Sequence, residues 1–263
     1  MISLSSKNVT PRLACIVCIL ILGFSCVFFT YGPVLLFGRS RDHSGPCVVL
    51  TFDDGYLSVY RVAYPLMRRF DFRGVVFVPT HLVGDVFEGE RLLGFSELKL
   101  LQWSGWEIGS HTASHSNLTI LTNERIGTEL SLSKDWLSIR GFSPTSLSLP
   151  YSSFNQEVLD MAFKYYKVIR TTGERPSPLP TSQFYGSLAV DPSNIDVVLD
   201  QIANRNSSRD VLVLTFHGIT EANQAAPSRL FGWIREEQFL KILEGIKLSG
   251  RKAVTFRDLI VPS

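Results

Sequence analysis

An α/β fold is predicted for most of this chain: a small β/α barrel of parallel strands, preceded by one N-terminal transmembrane helix. Three observations predict it. Short, continuously apolar runs alternate with amphipathic stretches of helical period after about residue 45, the pattern of a parallel sheet covered by helices. No glycine-rich phosphate loop and no internal repeat interrupts that alternation, which favours a barrel over a dinucleotide-binding sheet. Finally, no charged residue occurs between Leu13 and Gly38, more than the roughly 20 apolar residues that span a bilayer.

The N-terminal run comes first. A secretory signal has an apolar core of only about 7–15 residues, so a retained anchor over about residues 13–37 is the stronger reading and a cleaved signal the competing one. Lys7 and Arg12 precede the run while Arg39 and Arg41 follow it, so the positive-inside rule is nearly balanced. Cys15, Cys18 and Cys26 lie inside the run and Cys47 stands alone beyond it, which excludes a disulfide framework. Residues 1–44 are therefore read as tail and anchor, and 45–263 as one domain.

Strands are expected at Val48–Phe52, Gly74–Pro79, Trp106–Gly109, Val211–Phe216 and Lys252–Phe256. Between them, helices are expected at Leu57–Phe70, Ser96–Trp103, Asn123–Ile139, Asn155–Tyr165, Ile195–Asn204 and Glu236–Leu248. Glu174–Thr181, with Pro176, Pro178 and Pro180, reads as a loop. The composition supports a core, with 45% hydrophobic and 11% aromatic residues. A net charge of +2 points neither to a disordered acidic chain nor to a nucleic-acid-binding one.

In such folds chemistry gathers at the C-terminal ends of the strands, where the unusual polar residues of this sequence fall. The first strand ends in Asp53-Asp54-Gly55. Asp-Gly is a common turn pair, yet two carboxylates on a buried strand end are costly to keep charged, and a cation would offset that cost. His111 and His115 follow another strand at a spacing that sets both rings on one side of a helical turn. With a carboxylate they form a two-histidine, one-carboxylate set that leaves metal positions open for water and substrate. His217 ends the strand Val211–Phe216; a buried structural histidine is the alternative reading for it.

Thr51-Phe52-Asp53-Asp54-Gly55, His111-Thr-Ala-Ser-His115, Leu149-Pro150-Tyr151 and Phe216-His217-Gly218, in that order, resemble the motifs of the polysaccharide deacetylases, carbohydrate esterase family 4. The resemblance covers residues 45 to 260. It implies a distorted β/α barrel of about seven strands and a hydrolase that removes acetyl groups from N-acetylated glycan. It also implies a divalent metal, usually zinc, on Asp54, His111 and His115. Asp53 would be the general base, His217 the general acid, and the backbone N–H of Tyr151 an oxyanion donor. A polymeric substrate would put the domain outside the cell, anchored to the membrane by a single pass. A deformylase or amidohydrolase of a lipid-linked sugar, or a silent glycan-binding protein, would use the same scaffold.

The sequence also departs from the family. Ser148 stands where the third motif commonly has an arginine that orients the catalytic aspartate. Members resembling the poly-N-acetylglucosamine deacetylases also lack it, and Leu149–Val158 resembles that subgroup, with Ser152 in place of its glycine. Thr215 replaces a frequent leucine. Asp191, Asn194 and Asp196 are candidates for the fourth motif. Trp103, Trp106 and Trp136 read as core, Cys47 as a small buried hydrophobe, and Trp233 as a residue that could stack on a sugar ring. Asn8, Asn117 and Asn206 fit the glycosylation pattern.

Overall fold

A computed structural model of the protein describes residues 45–173, 183–204, 211–222 and 232–260. The expected anchor at about 13–37, the Glu174–Thr181 loop, Asn8 and Asn206 lie outside the described residues. Among the described residues no helix is long and apolar enough to cross a membrane.

The main elements in chain order are: β1 (Cys47–Phe52), α1 (Tyr64–Arg69), β2 (Val75–Val78), α2 (Phe95–Trp103), β3 (Glu107–Ser110), α3 (Asn123–Ile139), β4 (Ser146–Ser148), α4 (Gln156–Tyr165), β5 (Val168–Thr172), β6 (Phe184–Ala189), α5 (Ile195–Ala203), β7 (Val211–Phe216), α6 (Glu236–Ser249) and β8 (Lys252–Val254). A π-helical turn, Val59–Ala63, leads into α1. Two of the helices begin at side-chain caps: Thr122 accepts from the Arg125 N–H and Asn155 from the Val158 N–H.

All the barrel pairings are parallel, and β1 closes the ring. It pairs along its whole length with β7. Its other edge is divided: Thr51 and Phe52 pair with β2, and Cys47 to Val49 with β8. The order β1-β2-β3-β4-β5-β6-β7 thus returns to β1, the expected barrel of seven strands, with β8 wedged in at the base.

Successive residues of a strand face opposite sides, and β1 shows the consequence. Val48, Leu50 and Phe52 pack outward on the helices. Cys47 and Val49 point into the barrel, with Val75, Phe77, Val213 and Phe256. One layer higher the lumen turns polar: Thr51 meets Thr215 at 3.0 Å, and Ser187 meets Thr215 at 2.7 Å. Asp53 follows in the same inward register. The lumen is apolar at its base, hydroxyl-lined in the middle and charged at the top.

That gradient explains three strands the apolar pattern did not reveal. β4, β5 and β6 carry Ser146, Ser148, Arg170, Thr171 and Ser187, all buried, so their polar residues break the hydrophobic run. Trp103 departs from the expected core position: it is 77% exposed, while Trp106 is buried and Trp136 half-buried. Cys47 is buried as expected.

Gly109 makes room for the lumen. A Cβ there would lie 2.5 Å from the Phe77 ring and 2.8 Å from Ser146 Oγ, and Gly109 is the register partner of Phe77. Gly109→Ala is expected to lower stability by about 1–3 kcal/mol through overpacking, read as a lower midpoint in urea denaturation with unchanged slope. An unchanged midpoint would mean that the lumen yields more readily than this packing implies.

Candidate active site

Register sets the height of the site. Phe52 of β1 pairs with Phe216 of β7, and the Asp53 N–H donates to the Phe216 carbonyl at 2.9 Å, so Asp53 and His217 leave their strands side by side. On the other side of the ring the His111 N–H donates to the Val78 carbonyl at 2.9 Å. Asp53, Asp54, His111, His115, Tyr151 and His217 all line one cleft of about 410 Å³ at the C-terminal end of the barrel. These are the six residues given catalytic or metal-binding roles by the motif resemblance.

Seven non-glycine residues among those described have positive φ, and five of them, Asp54, Glu88, His115, Tyr151 and Ser152, line this cleft. Such conformations cost energy and persist only where the surroundings over-determine them. The two histidines are a case in point, because no helical turn brings them together. Thr112 (φ +66°) and His115 (φ +61°) reverse the chain instead. Glu129 of α3 fixes the loop, accepting from the Ala113 and Ser114 N–H groups at 3.0 and 2.9 Å and from the Ser114 hydroxyl at 2.6 Å.

His111 and His115 converge on Asp54. The Nδ1 of His111 is 2.8 Å from the Ser148 carbonyl, which can only accept, so Nδ1 carries the proton and Nε2 faces the cleft. That Nε2 lies 3.4 Å from Asp54 Oδ1, and Nε2 of His115 lies 3.1 Å from the same oxygen. Four-coordinate zinc at about 2.0–2.1 Å from its ligands separates ligand atoms by roughly 3.3 Å. Asp54 Oδ1 is buried and receives no hydrogen bond. Donor types, spacing and this orphaned oxygen fit a divalent metal held by Asp54, His111 and His115, whose ligand atoms lie within 4.8 Å of one another.

Asp53 is held differently. Burial by itself would raise its pKa, but the Arg170 guanidinium and the His111 imidazole outweigh it and hold the carboxyl below its ordinary range. Asp54 is likewise held far below that range, by the two imidazoles against its own burial. The same coupling, with Asp53 and Asp54 as partners, raises His111 despite burial.

Arg170 was missed by sequence reasoning. It is fully buried, and its Nη2 donates to both Asp53 oxygens and to Ser148 Oγ. The Ser148 hydroxyl in turn donates to Asp53 Oδ2 at 3.3 Å. Ser148 and Arg170 are direct register partners on β4 and β5. The guanidinium absent at position 148 is thus supplied from one strand over, at the same height. The signal was an arginine inside the otherwise uncharged run Val168–Thr172.

Other expectations resolve differently. Trp233 is buried rather than presented to a ligand: it packs edge-on to Tyr56 at 5.2 Å and over Gly218, where a Cβ would lie 2.1 Å from its ring. Asp191 accepts from the Ser193 N–H and hydroxyl, Asn194 bonds the Asp191 N–H and the Ala189 carbonyl, and Asp196 faces Lys241. These three serve a turn and a surface ion pair. Asn117 accepts from the Thr119 N–H and hydroxyl.

Residues 40–166 match the polysaccharide deacetylase family. A candidate polysaccharide deacetylase of Bacillus subtilis (strain 168), YxkH, is 29% identical over 131 residues, 49% of this chain and 46% of that protein. A gellan lyase of a Bacillus species is 29% identical over 162 residues, 60% of this chain and 6% of the lyase. The chain thus spans less than half the length of either. Among solved structures, IcaB from Ammonifex degensii superposes with a TM-score of 0.51 at 22% identity, covering 56% of this chain and 68% of its own. A family 4 carbohydrate esterase from Streptomyces lividans, in complex with acetate, gives 0.57 at 15% identity, covering 83% and 98%; at such identities the likeness is one of fold. Over residues 40–166, just under half of its length, the chain carries a polysaccharide deacetylase domain.

Removing Arg170 leaves a buried carboxylate unpaired, a loss of about 3–5 kcal/mol. Arg170→Met should therefore unfold at much lower urea than wild type at pH 7. The sign with pH follows from the lowered pKa of Asp53. Its contribution is present above the unfolded value of about 3.9 and is lost as pH falls through the folded one. The gap between wild type and Arg170→Met should thus narrow as pH falls below about 4. A gap that stays constant with pH would show that Arg170 acts only through packing.

Proposed function

We propose that the protein is a metal-dependent hydrolase that removes acetyl groups from N-acetylated glycan outside the cell, anchored by its N-terminal apolar run. One observation carries this reading: Asp54 Oδ1 sits between two imidazole Nε2 atoms while Asp53, fixed by Arg170, shares the same cleft. The Leu149–Val158 segment and the absence of arginine at position 148 favour a glycan of the poly-N-acetylglucosamine type.

Asp54, His111 and His115 would hold the metal, zinc in this reading, which when bound polarises an acyl carbonyl and acidifies water. Asp53 accepts the proton of the attacking water. A carboxylate held below its usual range is a weak base, so its contribution rests on placement next to the water. His217, on the same rim, delivers a proton to the departing amine. The backbone N–H of Tyr151, on a turn with φ +58°, supplies a donor for the oxygen that gains charge.

The two aspartates separate these roles. Asp54→Asn should lose bound metal and acetate release together. Asp53→Asn should keep the metal and lose about 10²–10⁴-fold in turnover, the scale of general acid–base catalysis. Ser148→Ala should keep most activity, because Arg170 still holds Asp53. Chelation should abolish acetate release from an N-acetylated glycan, and zinc should restore it. Metal retained in Asp54→Asn but lost in Asp53→Asn would reverse the assignments, and full activity in both would end this reading.

The location has its own test. Protease added to intact cells should digest the domain. Protection until lysis would overturn an extracellular placement and leave the chemistry untouched.

A further inference from the structure

The end of the barrel opposite the cleft has its own character. Because the helices run antiparallel to the strands, their C-terminal ends and the turns that follow lie at the face where the strands begin. Four large apolar side chains among those described are more than three-quarters exposed: Leu248 at 87%, Ile139 at 82%, Ile120 at 80% and Trp103 at 77%. Leu248, Ile139 and Trp103 stand in the last turns of α6, α3 and α2; Ile120 is on the cleft side, before α3.

On this lower face α1 ends in Arg68 and Arg69, α4 in Lys164 and α6 in Lys247, with Arg140 and Lys167 in the adjoining turns, all exposed. The acidic residues of these turns are Asp71 and Asp200, together with Asp258, which pairs with Arg73 at 3.4 Å. A second cavity of about 330 Å³, lined by Arg68, Arg73 and Trp106, opens here. At the cleft end Asp53, Asp54 and Glu88 face the opening instead. Arg68, Arg69, Arg140, Lys164, Lys167 and Lys247 thus share one face of the barrel with three exposed apolar side chains.

We propose that this lower face docks on an anionic phospholipid surface. Trp103, Ile139 and Leu248 enter the boundary between headgroups and acyl chains, where an amphipathic tryptophan is favoured. The surrounding arginines and lysines meet lipid phosphates. The chain enters β1 at Cys47 on this same face. Docked this way, the cleft opens away from the membrane. The proposal does not depend on the metal or on deacetylation.

The test adds the full chain to vesicles of phosphatidylcholine alone and of phosphatidylcholine with phosphatidylglycerol, both carrying a headgroup nitroxide lipid, and follows tryptophan fluorescence. The signal is the quenching lost on Trp103→Phe. It should be about fivefold or more stronger on the anionic vesicles, since one basic residue near an anionic leaflet is worth about that factor. It should fall to the neutral-vesicle level at high salt and in Arg68→Glu/Arg69→Glu/Lys247→Glu. Unchanged thermal melts show that these surface variants are folded. Equal quenching on the two vesicle types, or quenching that survives in Trp103→Phe, overturns the proposal. So does self-association in sedimentation without quenching, which would give the face to a second copy of the chain.

Discussion

A carboxylate buried at the top of the barrel has to remain ionised, and the lumen is arranged around that requirement. Asp53 reaches the site by continuing the inward register of β1, which takes it out of water. Burial alone would raise its pKa; the Arg170 guanidinium and the His111 imidazole outweigh that. Arg170 is itself fully buried, so it needs Ser148 as a further acceptor and the Phe77 face, 5.3 Å from its guanidinium carbon. Phe77 in turn needs the empty volume above Gly109. One ion pair thereby constrains residues on β1, β2, β3, β4 and β5.

The charge pair also organises the candidate metal ligands. Ser148 holds two groups at once: its side chain contacts Asp53 and Arg170, while its carbonyl takes the Nδ1 proton of His111. The tautomer that turns Nε2 toward Asp54 is therefore set by the strand that also supports Asp53. Glu129 does the same for the loop of His115 from outside the barrel. On the far rim Glu88, held by the Tyr56 hydroxyl at 3.0 Å, is joined through Tyr56 to buried Trp233. The positive-φ residues of the cleft sit within these supports, which is why they tolerate conformations that isolated residues avoid.

Polysaccharide deacetylases commonly orient the aspartate with an arginine at the position of Ser148. Here the guanidinium comes from its register partner on the neighbouring strand. In a closed barrel, side chains facing inward at one height are interchangeable sources for one central partner. The requirement is a charge at that height, and which strand carries it is secondary.

The sequence by itself determined the alternation of strands and helices, the strands rich in valine and leucine, and five side chains of the cleft through the spacing of their motifs. These are local properties: periodicity, strand ends, and residue types suited to a metal. It also identified Tyr151, through the turn after Pro150. Tertiary structure alone decided the rest. The polar strands β4, β5 and β6 escape a hydrophobic pattern because their inward residues serve a charged lumen. The His111–His115 pair follows from two positive-φ residues and a glutamate on α3, not from helical spacing. Arg170 lies 117 residues from Asp53 in sequence, and only the closing of the ring makes them partners. Trp103 and Trp233 exchanged their expected places, one at the surface and one buried, because exposure depends on which neighbours the fold supplies and not on the side chain's own hydrophobicity.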